Sequence, residues 1–165
     1  MANITLKGNI THTIGNLPKI GAKAPNFKLT DVNLSPKSLM DYAGKKIILN
    51  IFPSVDTGTC ATTVREFNKK ATDLKNTVVL CISKDLPFAQ ARFCAAEGIE
   101  NVVMLSDFID GNFGKSYELE IANGPLANLH SRAIVIVDEE GCVIHTEQVS
   151  EIADEPNYTL ALNVL

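Results

Sequence analysis

No two of the four cysteines in this 165-residue chain form a CxxC pair, and the three histidines, His12, His130 and His145, show no metal-ligand spacing. A dithiol redox motif is absent, and nothing points to a zinc site. No run of Lys and Arg exceeds two, and the net charge is −4, so the basic surface that a nucleic-acid partner requires is missing. Membrane-length apolar runs are missing too: stretches such as AIVIV at 133–137 are strand-sized, far short of the roughly 18 residues of a span. The opening MANITLKGNITHTIG alternates polar and apolar residues and lacks the continuous apolar segment of a signal peptide. A soluble cytoplasmic protein with free thiols is the expectation. No linker, internal repeat or low-complexity segment interrupts the chain, so one domain over 1–165 is expected.

What is present is an ordinary globular composition, 45% hydrophobic and 21% charged, sufficient for a core without staples. ITLKGNITHTI places Lys-Gly-Asn between two alternating stretches and predicts a β-hairpin. APNFKLTD predicts a short strand, and SLMDYAGKK a helical turn ending near Gly44. IILNIF (47–52) is too continuously apolar for a half-exposed strand and belongs in the middle of a sheet. From Cys60 onward, Val64, Phe67, Ala71 and Leu74 recur every three or four positions, the spacing of one helix face. TVVLCIS reads as the next strand. DLPFAQARFCAAEG reads as a second helix, with Pro87 in its first turn, Gly98 as its stop and Cys94 in its last half. Then come the strand NVVML, a short helix in GNFGKSYEL, two strands in RAIVIVDEEGCVIHTEQV and a last helix in EPNYTLALNVL. Alternating β and α units followed by an antiparallel pair predict a mixed central sheet with helices on both faces, the outline of a thioredoxin-like α/β fold.

Between IILNIF and the helix beyond it lies PSVDTGTC, residues 53–60. A thiolate is the nucleophilic form of cysteine, and the unpaired N–H groups of a helix N-terminus favour negative charge. Cys60 stands in such a first turn. Thr57 offers a hydroxyl that donates to the sulfur or to a substrate oxygen and accepts from a second group. Pro53 fixes φ at the strand exit, and Gly58 is expected to let the backbone approach closely in the turn. A lone cysteine after a loop is also commonly a small buried hydrophobe; the TxxC spacing at a helix start favours chemistry.

PSVDTGTC matches the P-x-x-x-[TS]-x-x-C motif of peroxiredoxins, read as Pro53, Thr57 and Cys60. The segments GAKAPNFKLTD, FCAAEGIENVVMLSD and GPLANLHSRAIVIVDEEG are similar to those of one branch, the bacterial thiol peroxidases, and the resemblance runs over almost the whole chain. It implies a peroxidase needing no metal, flavin or haem, in which Cys60 attacks the O–O bond of a hydroperoxide and becomes a sulfenic acid. It also implies an essential arginine. Of the three available, Arg65, Arg92 and Arg132, the segment match selects Arg132, before AIVIV. The resemblance further implies Cys94 as the resolving thiol of an intramolecular disulfide with Cys60, formed after local unwinding of both helices. Thioredoxin as reductant and a homodimer complete the implied picture. Cys81, inside an apolar strand, and Cys142, after a turn, read as packing residues. Two rivals remain open: a peroxidase with no resolving cysteine, and a redox sensor in which oxidation of Cys60 alters an interface.

Overall fold

The computed structural model describes residues 1–165. The chain opens with the hairpin β1 (Asn3–Leu6) and β2 (Asn9–His12), joined by Lys7 and Gly8, both at positive φ. That is the turn geometry whose twist suits a two-residue hairpin. β3 (Lys28–Asp31) and β4 (Pro36–Ser38) follow, then a 3₁₀ turn over Leu39–Tyr42 and β5 (Lys46–Ile51). The remaining elements are α1 (Gly58–Ala71), β6 (Thr77–Ser83), α2 (Pro87–Glu97), β7 (Val103–Ser106), α3 (Asn112–Ser116), β8 (Ala133–Val137), β9 (Val143–Gln148) and α4 (Tyr158–Leu162). The order agrees with the pattern read from the sequence, with one strand added: β4, three residues including a proline, is too short and too polar to show a period.

Seven strands form one mixed sheet in the order β4-β3-β7-β6-β5-β8-β9. β5, β6 and β7 are parallel, while β8 pairs antiparallel with β5 and β9 antiparallel with β8. β5 lies between β6 and β8 and is buried on both sides, which is why its sequence is a continuous apolar run. Its alternate residues divide the core. Ile47, Leu49 and Ile51 face Phe113 and Tyr117 of the α3 region; Ile48 joins Val64 and Phe67 of α1, Phe93 of α2 and Ala161 of α4. Helices therefore cover both faces, with α1, α2 and α4 together on one.

α1 is held by Cys60, Thr63, Val64 and Phe67, all buried. Phe67 meets Tyr158 of α4 edge to face, with centroids 5.3 Å apart. Burying a side chain of that size contributes about 1.5–3 kcal/mol. Leu74 packs partly against the same core but lies beyond the end of the helix. α2 begins with Pro87 at its first position and ends at Gly98, whose φ of 65° is left-handed.

The hairpin is strapped to a distant segment. Thr5 N–H donates to Ser150 O at 2.7 Å and Ile152 N–H donates to Thr5 O at 2.8 Å. Glu151 accepts from Thr5 Oγ1 and from the N–H groups of Lys7 and Gly8. This strap fixes Ile152 beside the start of β8.

Candidate active site

β5 delivers the chain to a loop, 52–57, that turns directly into α1. Thr57 is the N-cap, with extended backbone (φ −105°, ψ 146°), and the first helical bond runs from Ala61 N–H to Thr57 O at 3.0 Å. The N–H groups of Gly58, Thr59 and Cys60 thus begin the helix without intrahelical acceptors. Cys60, at the third helical position, is fully buried. Its sulfur faces the start of β8: Arg132 Nη2 donates to Sγ at 3.2 Å.

Arg132 is itself only 2% exposed. Its Nε–H donates to Ile152 O at 2.9 Å, and Nη1 is buried without any protein acceptor. No carboxylate lies within ion-pair distance of the guanidinium. A buried charge so placed needs an anionic or strongly accepting partner, and the thiol sulfur is the group that the fold supplies. Arg132 also lines a surface pocket of about 460 Å³ together with Pro53, Thr57, Gly58, Leu126 and Ile152.

Thr57 departs from the donor role expected of it. Its Oγ1 donates to Ser54 O at 3.1 Å, closing the 54–57 turn. The hydroxyl proton is engaged, and what it offers the pocket is its lone pairs. Gly58 needs correction too. Its φ is not positive, and a Cβ added there would meet nothing within 4 Å. The backbone does not require glycine at 58; the missing side chain leaves the pocket wall open.

A redoxin family model matches residues 19–162. Thiol peroxidases of Mycobacterium bovis and Mycobacterium tuberculosis are 53% identical over 165 residues, covering 100% of this chain and 99% of theirs. The chain belongs to the thiol peroxidases of the redoxin family. Among solved structures, a peroxiredoxin-like protein from Aquifex aeolicus is similar with a TM-score of 0.92 and 34% identity, covering 98% of this chain and 94% of that one. A thiol peroxidase from Chromobacterium violaceum shares the fold at a TM-score of 0.89 with 22% identity, covering 98% and 94%. Family membership makes this chain an antioxidant oxidoreductase acting as a thiol-dependent peroxidase.

The other cysteines of this thiol peroxidase lie apart from Arg132. All four are free thiols. Cys94, on α2, is half-buried against the α1 face of the sheet, and burial pushes its thiol above the ordinary value. Cys81 lies within β6, wholly buried; burial pushes its thiol up to about 12, opposed in part by the hydrogen bond from Asn50 Nδ2 at 3.5 Å. Cys142 forms an isolated bridge with Lys23 just before β9, on the far side of the turn. Arg65 pairs with Glu97 and Arg92 with Asp56, each at 3.1 Å on the surface, so neither guanidinium reaches Cys60.

Sequence reasoning missed what holds the site. Ile152 enters through its carbonyl, and main-chain acceptors leave no mark in side-chain patterns. Asp85, whose carboxylate ties down the active-site loop, sits in SKDLP between a strand and Pro87; an acid one residue short of a helix start was the available signal. No helix is long and apolar enough to cross a membrane.

Proposed function

We propose that this thiol peroxidase reduces hydrogen peroxide and organic hydroperoxides through Cys60, with Cys94 as resolving thiol and a thioredoxin-type dithiol protein as reductant. The Cys60 thiolate attacks the terminal oxygen in line with the O–O bond. An S–O bond forms, the O–O bond breaks, and the leaving hydroxide or alkoxide takes a proton to depart as water or alcohol. Sulfur loses two electrons and becomes a sulfenic acid.

The observation that carries this reading is the Arg132 guanidinium, 3.2 Å from Sγ through Nη2 and with Nη1 free to donate. One fork pairs with the sulfur while the other binds a peroxide oxygen, and charge moving onto the leaving oxygen meets a fixed donor. Thr57, its own proton committed to Ser54, accepts from the peroxide O–H and so orients it. Pro53, Leu126 and Ile152 line the same pocket and suit a carbon substituent.

Cys94 then attacks the sulfenic sulfur: an S–S bond forms, the S–O bond breaks, and hydroxide leaves as water. Thiol-disulfide exchange with the dithiol reductant restores both cysteines. Burial pushes the Cys94 thiol above its ordinary value, so opening of α2 favours the thiolate that attacks. We place the enzyme in the cytoplasm as a homodimer, for which exposed Leu86, Phe88, Phe108 and Ile109 offer apolar surface.

The test is steady-state consumption of hydrogen peroxide and cumene hydroperoxide with thioredoxin and its reductase. Wild type is expected to turn over both and Cys60→Ser neither, with the fold intact because serine is well tolerated near a helix start. Retained turnover in Cys60→Ser overturns the assignment.

A further inference from the structure

The loop that leads through Thr57 to Cys60 is tied to the start of the helix that carries Cys94 by a partly buried carboxylate, Asp85. Asp85 stands between Ser83, the last residue of β6, and Pro87, the first of α2. Its Oδ1 accepts from Ser54 Oγ at 2.7 Å. Its Oδ2 accepts from Val55 N–H at 2.8 Å and from Ser83 Oγ at 2.6 Å. On the sheet side Asp85 is pinned further: its N–H donates to Ser83 Oγ at 3.3 Å, and its carbonyl accepts from Ser106 Oγ of β7. Ser83 Oγ also accepts from Gln90 Nε2 of α2 at 3.2 Å, with both residues fully buried. The carboxylate is therefore anchored on the β6–α2 junction and reaches across to the 53–57 loop.

Two other contacts cross the same gap, Asp56 with Arg92 and Arg65 with Glu97. Both are exposed ion pairs, a class that contributes little. Asp85 differs in kind. Its bonds are charge-assisted and partly shielded, and one holds a backbone N–H that loses its partner if the carboxylate is removed.

We propose that Asp85 is a positioning residue that couples the two halves of the reaction: it holds the Thr57–Cys60 loop in the geometry for peroxide attack and must let go before Cys94 can meet Cys60. This rests on the reading of Cys60 and Cys94 as the reacting pair. Asp85 then sets how long the sulfenic acid waits. A waiting sulfenic acid is exposed to a second hydroperoxide: its sulfur takes a further oxygen, the O–O bond breaks, and a sulfinic acid and water or alcohol result. A tighter latch favours the first step and over-oxidation; a looser one favours the disulfide.

The experiment compares wild type, Asp85→Ala and Ser54→Ala with hydrogen peroxide. Because the chain has no tryptophan, the steps are followed by rapid-quench mass spectrometry. In Asp85→Ala, sulfenic acid formation is expected to fall about tenfold and disulfide formation to rise about tenfold, the scale of losing charge-assisted bonds. The peroxide concentration that over-oxidises half the chains rises accordingly. Ser54→Ala, which removes one Asp85 contact to the loop together with the Asp56 N–H bond to Ser54 Oγ and leaves the Val55 and Ser83 bonds of Asp85, moves both rates the same way by a smaller factor, and it answers the question should Asp85→Ala fail to fold. Val143→Ala in β9, a control that lowers melting temperature without touching the loop, leaves both rates at wild-type values. Rates that fall together in the loop variants, or an unchanged disulfide step while wild type forms the Cys60–Cys94 bond, overturn the role of Asp85. A wild type that forms no such bond overturns the resolving role of Cys94 and this proposal with it.

Discussion

At the scale of single residues, a guanidinium with 2% exposure and no carboxylate beside it is costly unless something repays its lost hydration. Here the compensation comes from Ile152 O and the Cys60 sulfur, and it leaves one donor nitrogen without a protein partner. Such an arrangement makes sense for a site in which negative charge arrives and moves. Arg132→Met keeps the bulk and removes the charge. It is expected to slow sulfenic acid formation by about a hundredfold or more, the scale for loss of a well-placed transition-state donor. Thermal stability should hold or rise, because a desolvated charge has gone. Rapid-quench rates and a melting curve check the two halves separately; a normal rate would move the role away from Arg132. Thr57→Val should lose about as much, since valine can neither accept from the peroxide nor close the turn onto Ser54, whereas Thr57→Ser should recover most of the rate.

At the scale of elements, the strap between the hairpin and segment 150–153 supports the site from outside. Glu151 receives hydrogen bonds from Gly8 N–H, Thr5 Oγ1, Ala153 N–H and Lys7 N–H, and Gly8 leads in holding its carboxyl down to about 2. A carboxyl depressed in the folded state stabilises it fully above the unfolded value of about 4.5 and loses that contribution as pH falls from there through about 2. Melting temperatures measured across pH 7 to 2 should therefore drop in wild type over that window, while Glu151→Gln starts lower at pH 7 and changes less. Parallel curves for the two proteins would remove Glu151 from the strap. This strap also shows where sequence reading stops. β5, α1, β6 and α2 were legible because each has a clear apolar period or a terminal signal such as Pro87 and Gly98. β4 has neither, and α4 is shorter than EPNYTLALNVL suggested, spanning Tyr158–Leu162. Arg132 was reached from the sequence by resemblance; its 3.2 Å contact with Cys60 depends on β8 lying beside β5, a pairing between residues distant in sequence. Ile152 O and Glu151 hold the site by hydrogen bonds across such distances with no local pattern to announce them, and Asp85 is marked only by its place just before α2.

At the scale of the whole molecule, the two proposed partners face different ways. Both α1 and α2 pack on one face of the sheet, but the Cys60 sulfur is turned to Arg132 at the start of β8, whereas Cys94 lies on the helix between β6 and β7, on the other side of β5. A disulfide needs Cα atoms within about 7 Å, and packed helices keep their axes about 8–10 Å apart. In the proposed mechanism the first turn of α1 and part of α2 unwind to join them, breaking the Asp56–Arg92 and Arg65–Glu97 pairs on the way. Peptide mapping of protein oxidised by one equivalent of hydrogen peroxide should find Cys60 joined to Cys94 within one chain. Amide exchange over 60–65 and 90–96 should then be faster in the oxidised form than in the reduced one. Cys94→Ser should still consume its first equivalent, because attack on the peroxide uses Cys60 alone. Turnover with thioredoxin should collapse in that variant, leaving a sulfenic acid that proceeds to sulfinic acid as peroxide is added. Cys81 offers no substitute, since burial inside β6 pushes its thiol up to about 12 and shuts it off from solvent. A map joining Cys60 to Cys81 or Cys142, or a Cys94→Ser enzyme that cycles normally with thioredoxin, would leave a one-cysteine peroxidase in place of the mechanism proposed here.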